Sequence, residues 1–198
     1  MRLLATLSLV VVTACSSGSS APPSAVPHPV VSVLPVGKED LTVTGKYLSP
    51  EGFVPPLVLD VPAGWTSGHR GDDAFDLSRP DPTRDAPLVS VVLLTPNDTT
   101  SPQALSRLRR LLGAVTPVTG TLAGAPATGF DVVGGTGPLV SSPAGTIAVD
   151  RLPGQHARLL GTDLDGVPLL AVVVVPAGSR WAELLPVAEQ LLAGVAAG

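Results

Sequence analysis

A single cysteine, Cys15, occurs in 198 residues, so the chain has neither an internal disulfide framework nor a cysteine-built zinc site. Aromatic residues make up 3% and charged residues 14%. Three Phe, two Trp and one Tyr on a chain of formal charge −4 provide no basic groove with stacking platforms, which argues against nucleic acid as a partner. The N-terminal apolar run, about twelve residues, makes a helix of about 18 Å, well short of the ~30 Å hydrocarbon core of a bilayer. Reactive signatures are missing as well: no Gly-x-Ser-x-Gly elbow, no Ser-x-x-Lys, no His-Glu-x-x-His and no Walker loop. Gly135-Thr136-Gly137 lacks the third glycine of a dinucleotide loop. Asp163-x-Asp165-Gly166 is a fragment of a calcium loop without its trailing glutamate. Neither a cofactor site nor a metal site is expected.

What is abundant is aliphatic. Hydrophobic residues reach 44%, supplied by Val, Leu, Ala and Ile, and the branched ones favour strands. Twenty-two prolines and twenty-one glycines must concentrate in linkers and turns. At the N-terminus Arg2 supplies a positive charge, Leu3 to Val12 an apolar run, and Thr13-Ala14 the small residues before a cut. Residues 1–14 therefore have the grammar of a secretory signal peptide. Val12-Thr13-Ala14-Cys15 resembles the lipobox of bacterial lipoproteins. That resemblance implies a diacylglyceryl group on the Cys15 thiol, cleavage before it, and acylation of the new N-terminus. It places the protein on the extracytoplasmic side of the cell membrane. A conventional signal peptide followed by an unmodified cysteine is the alternative.

Residues 15–39 continue as Ser16-Ser17-Gly18-Ser19-Ser20 and a Ser/Ala/Pro mixture, the composition of a linker. As a flexible coil it spans about 27 Å, and in polyproline geometry about 75 Å. Within it Val30-Val31-Ser32-Val33-Leu34 is apolar enough to dock on the domain as an edge strand.

The globular part occupies 40–198. Leu41 to Leu48 alternates apolar and polar, as a half-buried strand does. Leu57 to Val61 is a strand closed by a tight turn, Pro62-Ala63-Gly64-Trp65. Ala74 to Ser78 is short, and Leu88 to Thr95 is apolar throughout, as a central strand buried on both faces would be. The period then changes. Ser101 suits an N-cap, Pro102 the first helical position and Gly113 a C-cap, with Leu105, Leu108, Leu111 and Leu112 as one stripe. Arg109 and Arg110 suit the negative end of that helix. Val118 to Val133 is strand with a turn at Gly124-Ala125-Pro126, and Gly134 to Gly145 is a loop. Thr146 to Leu152 and Gln155 to Leu160 flank Pro153-Gly154 as two strands. Asp165-Gly166 is a hairpin signal leading into Val167 to Val175, the most apolar strand, which belongs mid-sheet. Ser179 caps a last helix whose stripe is Trp181, Leu184, Leu185, Ala188, Leu191, Leu192 and Val195. Pro186 predicts a kink or restart, and Gly194 and Gly198 end it.

This order predicts an α+β fold, an antiparallel sheet covered by a mid-chain and a C-terminal helix. A strand running into Val61-Pro62-Ala63-Gly64-Trp65, paired strands, a helix, a meander and a helix led by Trp181 resembles the Mog1/PsbP-like fold. Between Thr42 and Val195 it is similar to the LpqN-type lipoproteins of actinobacteria. Their closing helix looks like Trp181-Ala182-Glu183-Leu184-Leu185-Pro186-Val187-Ala188. The resemblance implies a binding or assembly module rather than an enzyme.

Chemistry-bearing residues concentrate between two early strands, in His69-Arg70-Gly71-Asp72-Asp73 followed by Asp76, Arg79, Asp81, Arg84 and Asp85. A solvated loop with local ion pairs is the ordinary reading. The functional one is a partner-contact loop built from Trp65, His69, Arg70, Asp72 and Asp73. Trp65 and Trp181 also suit core anchors whose indole N–H groups need partners. His28, His69 and His156 are far apart in sequence, and a Ser/His/Asp set drawn from His69 or His156 would make the chain an unrecognised hydrolase. The leading expectation is a lipid-anchored envelope protein whose domain binds another protein. The runner-up is a carrier of an apolar ligand such as a lipid, held between sheet and helices.

Overall fold

The computed structural model describes residues 41–69, 71–83, 87–134, 138–142, 145–148, 155–175 and 180–198. The signal peptide, Cys15, the linker with Val30 to Leu34, Arg70, Pro153-Gly154 and Ser179 lie outside the described residues.

The chain opens with β1 (Leu41–Leu48), β2 (Leu57–His69), β3 (Ala74–Pro80) and β4 (Pro87–Leu94), followed by helix α1 (Ser101–Leu112). Next come β5 (Thr116–Leu122), β6 (Ala125–Val133), β7 (Pro138–Ser142), β8 (Gly145–Ala148), β9 (His156–Leu164) and β10 (Val167–Val175). Helix α2 (Trp181–Ala193) and a short β11 (Val195–Ala197) finish it. Among the described residues one antiparallel sheet runs β1-β2-β3-β4-β10-β9-β6-β5, with β11 joining β2. The expected α+β architecture is the one the chain adopts.

β10 explains the layering. Side chains alternate across a strand, and every β10 residue from Pro168 onward is buried. Leu169, Ala171, Val173 and Val175 enter one core with Leu184, Ala188, Leu191 and Leu192 of α2. Leu170, Val172 and Val174 enter a second core with Ala104, Leu105 and Leu108 of α1. The two helices thus cover opposite faces of the sheet. Each fully buried leucine or valine contributes roughly 1.5–3 kcal/mol, so both faces of β10 need a cover. Five of the six aromatics gather on the α2 side, where Phe53 meets Phe75 edge-on at 4.9 Å and Tyr47 lies 6.1 Å from Phe75.

Several local expectations need correction. Pro62-Ala63-Gly64-Trp65 is no turn, because β2 continues to His69. The pairs Val43↔Trp65 and Gly45↔Val61 leave Pro62, Ala63 and Gly64 as a bulge opposite Thr44. Gly64, at φ +86°, takes the left-handed conformation that lets the strand continue past the insertion. Thr100, not Ser101, caps α1, its Oγ1 accepting from the Gln103 N–H at 3.4 Å. The Ser101 N–H instead donates to Asp163 Oδ1 at 2.7 Å, a cap supplied by β9 to one of the helix's first unsatisfied donors. Leu111 leaves the expected stripe and is 62% exposed.

The turn between β5 and β6 is Ala123-Gly124, both at positive φ, rather than Gly124-Ala125-Pro126. Part of the expected loop 134–145 is strand: β7 pairs with β8 as a hairpin of its own. Pro186 sits inside α2, which continues through it as one helix. Arg180 occupies the N-cap without a side-chain bond. After Gly194 the chain does not simply end but pairs as β11 with Leu57 to Leu59.

Candidate functional site

The loop before β2 is drawn to the start of β3 by Phe53 packing on Phe75. Thr95 secures the junction twice: its Oγ1 donates to Val54 O at 2.6 Å, and its N–H donates to Asp73 O at 2.9 Å. The Asp72 side chain lies against Gly52, whose missing Cβ would stand 3.2 Å from Asp72 Cγ. Residues 49–56, the turn 71–73 and Thr95 therefore make one composite rim, on which Val54 is 55% exposed.

Of the expected contact loop, only Asp72 contributes a described side chain to this rim. Trp65 is 1% exposed and packs in the α2-side core, so it is a core residue and no part of a contact surface. Asp73 is buried and serves the rim through its backbone carbonyl. His69 ends β2 opposite Phe75, and its side chain, like Arg70, falls outside the description. The charged run is also less of a loop than expected, because Asp76 is buried within β3. There Ser78 Oγ donates to Asp76 Oδ2 at 3.4 Å and shares a 2.9 Å bond with Ser90 Oγ.

His156 cannot serve that serine–aspartate group. Ser78 and Ser90 pair across β3 and β4, and Ser90 faces Val174 on the α1 side of the sheet. His156 pairs with Val175 on the α2 side. It stacks on Trp181 with ring centroids 5.2 Å apart and planes 24° from parallel. The sheet itself stands between the two.

On the α2 side the fold brings together residues that the sequence does not connect. Arg158 of β9 donates to both oxygens of Asp131 on β6, at 2.7 and 2.8 Å, and also to Glu189 of α2. The Arg158 side chain is 14% exposed. Its hydrogen bonds to Asp131 push the guanidinium's pKa further up against the opposing effect of burial, so this cation is permanent. The arrangement ties helix to sheet and saturates all three charges. At the start of α2, Arg180 clamps Glu183 at 2.8 Å and holds its carboxyl below the usual range. Partners 27 and 31 residues from Arg158 leave no local signal, which is why sequence reasoning missed them. Among the described residues no group of three or more His, Cys, Asp and Glu could hold a metal ion.

The α1 side offers a groove of about 380 Å³ along the helix's outer surface, lined by Asp98, Pro102, Gln103, Ser106, Arg107 and Arg110. Arg107 reaches Asp98 at 2.7 Å. Donors dominate its lining, and Asp98 is its one carboxylate.

No family model and no curated protein sequence matches the chain. Among solved structures it is similar to a protein from Bacteroides thetaiotaomicron, at 13% identity and TM-score 0.47, over 78% of this chain and 48% of that one. It is also similar to cyanobacterial PsbP from Synechocystis, at 12% identity and TM-score 0.45, over 84% of this chain and 99% of that one. A third is the Ran-binding protein Mog1p of Saccharomyces cerevisiae, at 11% identity and TM-score 0.42, over 78% and 96%. The chain spans about half the length of the Bacteroides protein. These are likenesses of fold, and the neighbours include the Mog1 and PsbP arrangements.

Proposed function

We propose that this chain is a lipid-anchored cell-envelope protein of the LpqN-like kind whose domain binds a partner protein without catalysing a reaction. The observation that carries the reading is the placement of the sole cysteine, Cys15, directly after Leu3 to Val12 and the small pair Thr13-Ala14. Diacylglyceryl and N-acyl groups on that residue give the several chains that stable anchoring requires, where one chain binds only marginally. Support for a binding role comes from the polar groups that the fold gathers. Arg158, Asp131 and Glu189 neutralise one another, and His156 is committed to Trp181. The exposed rim around Val54 and Asp72 is the surface assigned to the partner.

The test is metabolic labelling with an alkyne fatty acid in cells producing the wild-type chain and Cys15→Ala. Label and membrane association should both depend on Cys15. A wild-type chain without label, or a Cys15→Ala chain still fully in the membrane fraction, overturns the anchor. Proximity crosslinking from the Val54 rim in intact cells should capture a discrete protein. Capture unchanged by Val54→Asp would remove the rim from the proposal.

A further inference from the structure

α1 turns Ala104, Leu105 and Leu108 toward the sheet. At 100° per residue the opposite side of the helix carries Gln103, Ser106 and Arg110, with Arg109 and Arg107 to either side and the exposed Leu111 beyond Arg107. Arg109 and Arg110 are exposed. Three of the chain's twelve Lys and Arg residues thus fall within four positions of a protein with net charge −4. α1 contains no acidic residue. Among the described residues Arg107 is paired with Asp98, while Arg109 and Arg110 enter no ion pair. The groove beside them is rich in donors, and Arg107 Nε is a buried donor without a hydrogen-bond acceptor.

We infer that this outer face of α1 docks on an anionic phospholipid surface, with the groove receiving a headgroup phosphate. Charge complementarity selects the occupant: unpaired guanidiniums match phosphate geometry, and Leu111 supplies an apolar contact at the same surface. The inference rests on the anchor at Cys15, since a linker of about 27 Å as a coil holds the domain at a bilayer. Docking would lay the domain down on the membrane with α2 facing outward.

Each cation near an anionic surface is worth about fivefold in partitioning, so Arg109 and Arg110 together supply about twenty- to thirtyfold. The test uses the full chain with Cys15→Ser, which removes acylation and leaves docking to be read alone. It is co-sedimented with vesicles of phosphatidylcholine and of phosphatidylcholine with three-tenths phosphatidylglycerol. Arg2 and the N-terminal amine beside the apolar residues 3–12 also favour the anionic vesicle, but they are common to the parent and to Arg109→Gln/Arg110→Gln, so the change in ratio between these two chains reports α1. At low salt the ratio should be about twentyfold higher for the parent than for Arg109→Gln/Arg110→Gln, and this difference should vanish in high salt. Leu111→Ser should weaken binding to both vesicles while keeping the ratio. Both arginines are exposed, so the double variant should retain the far-ultraviolet circular dichroism of its parent. Equal partitioning on the two vesicles, or a ratio that survives the double substitution, overturns the inference. Neither result bears on acylation of Cys15, which the labelling experiment reads separately.

Discussion

Replacing Trp65 by alanine separates a core residue from a contact residue. The indole is 1% exposed and lies among Leu59, Val61, Phe75 and Leu77 in the α2-side core. A buried tryptophan removes about 200 Å² from water, which at ~25 cal/mol/Å² amounts to about 5 kcal/mol. Truncation also leaves a cavity that the neighbours fill only in part, and such changes cost about 3–5 kcal/mol. A domain of ordinary stability holds ~5–15 kcal/mol in total, so Trp65→Ala removes about a fifth of it or more. With a urea dependence of about 2 kcal/mol per molar, the unfolding midpoint should drop by about 2 M. Trp65→Phe keeps a ring in the site and should lose about half as much. Trp181 remains as the only tryptophan in both variants, and its stacking on His156 lets it report unfolding under selective excitation. A midpoint lowered by less than about 0.3 M in Trp65→Ala would refute the core assignment and restore Trp65 to a surface.

The closest approaches in the sheet give a second comparison. A Cβ on Gly129 would stand 1.8 Å from the Leu159 carbonyl oxygen, whereas one on Gly161 would meet side-chain ends, Leu170 Cδ2 at 2.7 Å and Leu105 Cδ1 at 3.0 Å. Gly129→Ala should therefore cost more than ~3 kcal/mol and Gly161→Ala about 1–3 kcal/mol, and a reversed order of urea midpoints would contradict the register of β6 on β9. For Arg158, a double-mutant cycle with Arg158→Met and Asp131→Asn should show a coupling of at least about 1 kcal/mol, because either single change leaves a half-buried partner; additive effects would dismiss the pair. Arg180 holds the Glu183 carboxyl low, so its contribution to stability is present above the ordinary glutamate range and is lost as pH falls through the lowered value. Carboxyl NMR should show that value rising in Arg180→Gln, and an unchanged titration would mean the clamp does not form in solution.

Legibility followed the range of the forces involved. β1 was visible over Leu41–Leu48 because alternation is local, and β10 was visible because nine apolar residues between Asp165-Gly166 and the Pro176-Ala177-Gly178 stretch of the sequence have one place to go. The bulge in β2 was not, since Pro62-Ala63-Gly64 has turn chemistry and only pairing with β1 turns it into an insertion within a longer strand. Ala123 at φ +53° is a conformation that its residue type disfavours, which moved the β5–β6 turn away from its expected place. β11 is three small residues whose strand character comes entirely from β2. In the candidate site, Asp72 lies at the surface as expected and Trp65 follows its core-anchor reading rather than the contact-loop one, but the burial of Asp73 was not legible. Aspartate beside aspartate suggests exposure, and only tertiary packing buries Asp73.

The apolar run of β10 carried one implication beyond its own strand. A strand buried at every position requires cover on both faces, so two helices cannot share one face of this sheet. Opposite placement then gives each face of the domain the outer surface of a single helix. The charged residues of α1 are Arg107, Arg109 and Arg110, while those of α2 are Glu183 and Glu189. Arg180 and Arg158 pair with Glu183 and Glu189, whereas Arg109 and Arg110 enter no ion pair among the described residues. The domain's charge asymmetry across its sheet is therefore a positive patch on the α1 side. A tether at the N-terminus fixes distance from a membrane but not orientation; a positive patch on one face of a domain does fix orientation at an anionic surface. Under the proposed anchoring, tether and patch are complementary constraints: one sets the distance from the membrane, and the other would turn the α2 side and the flanking rim away from it.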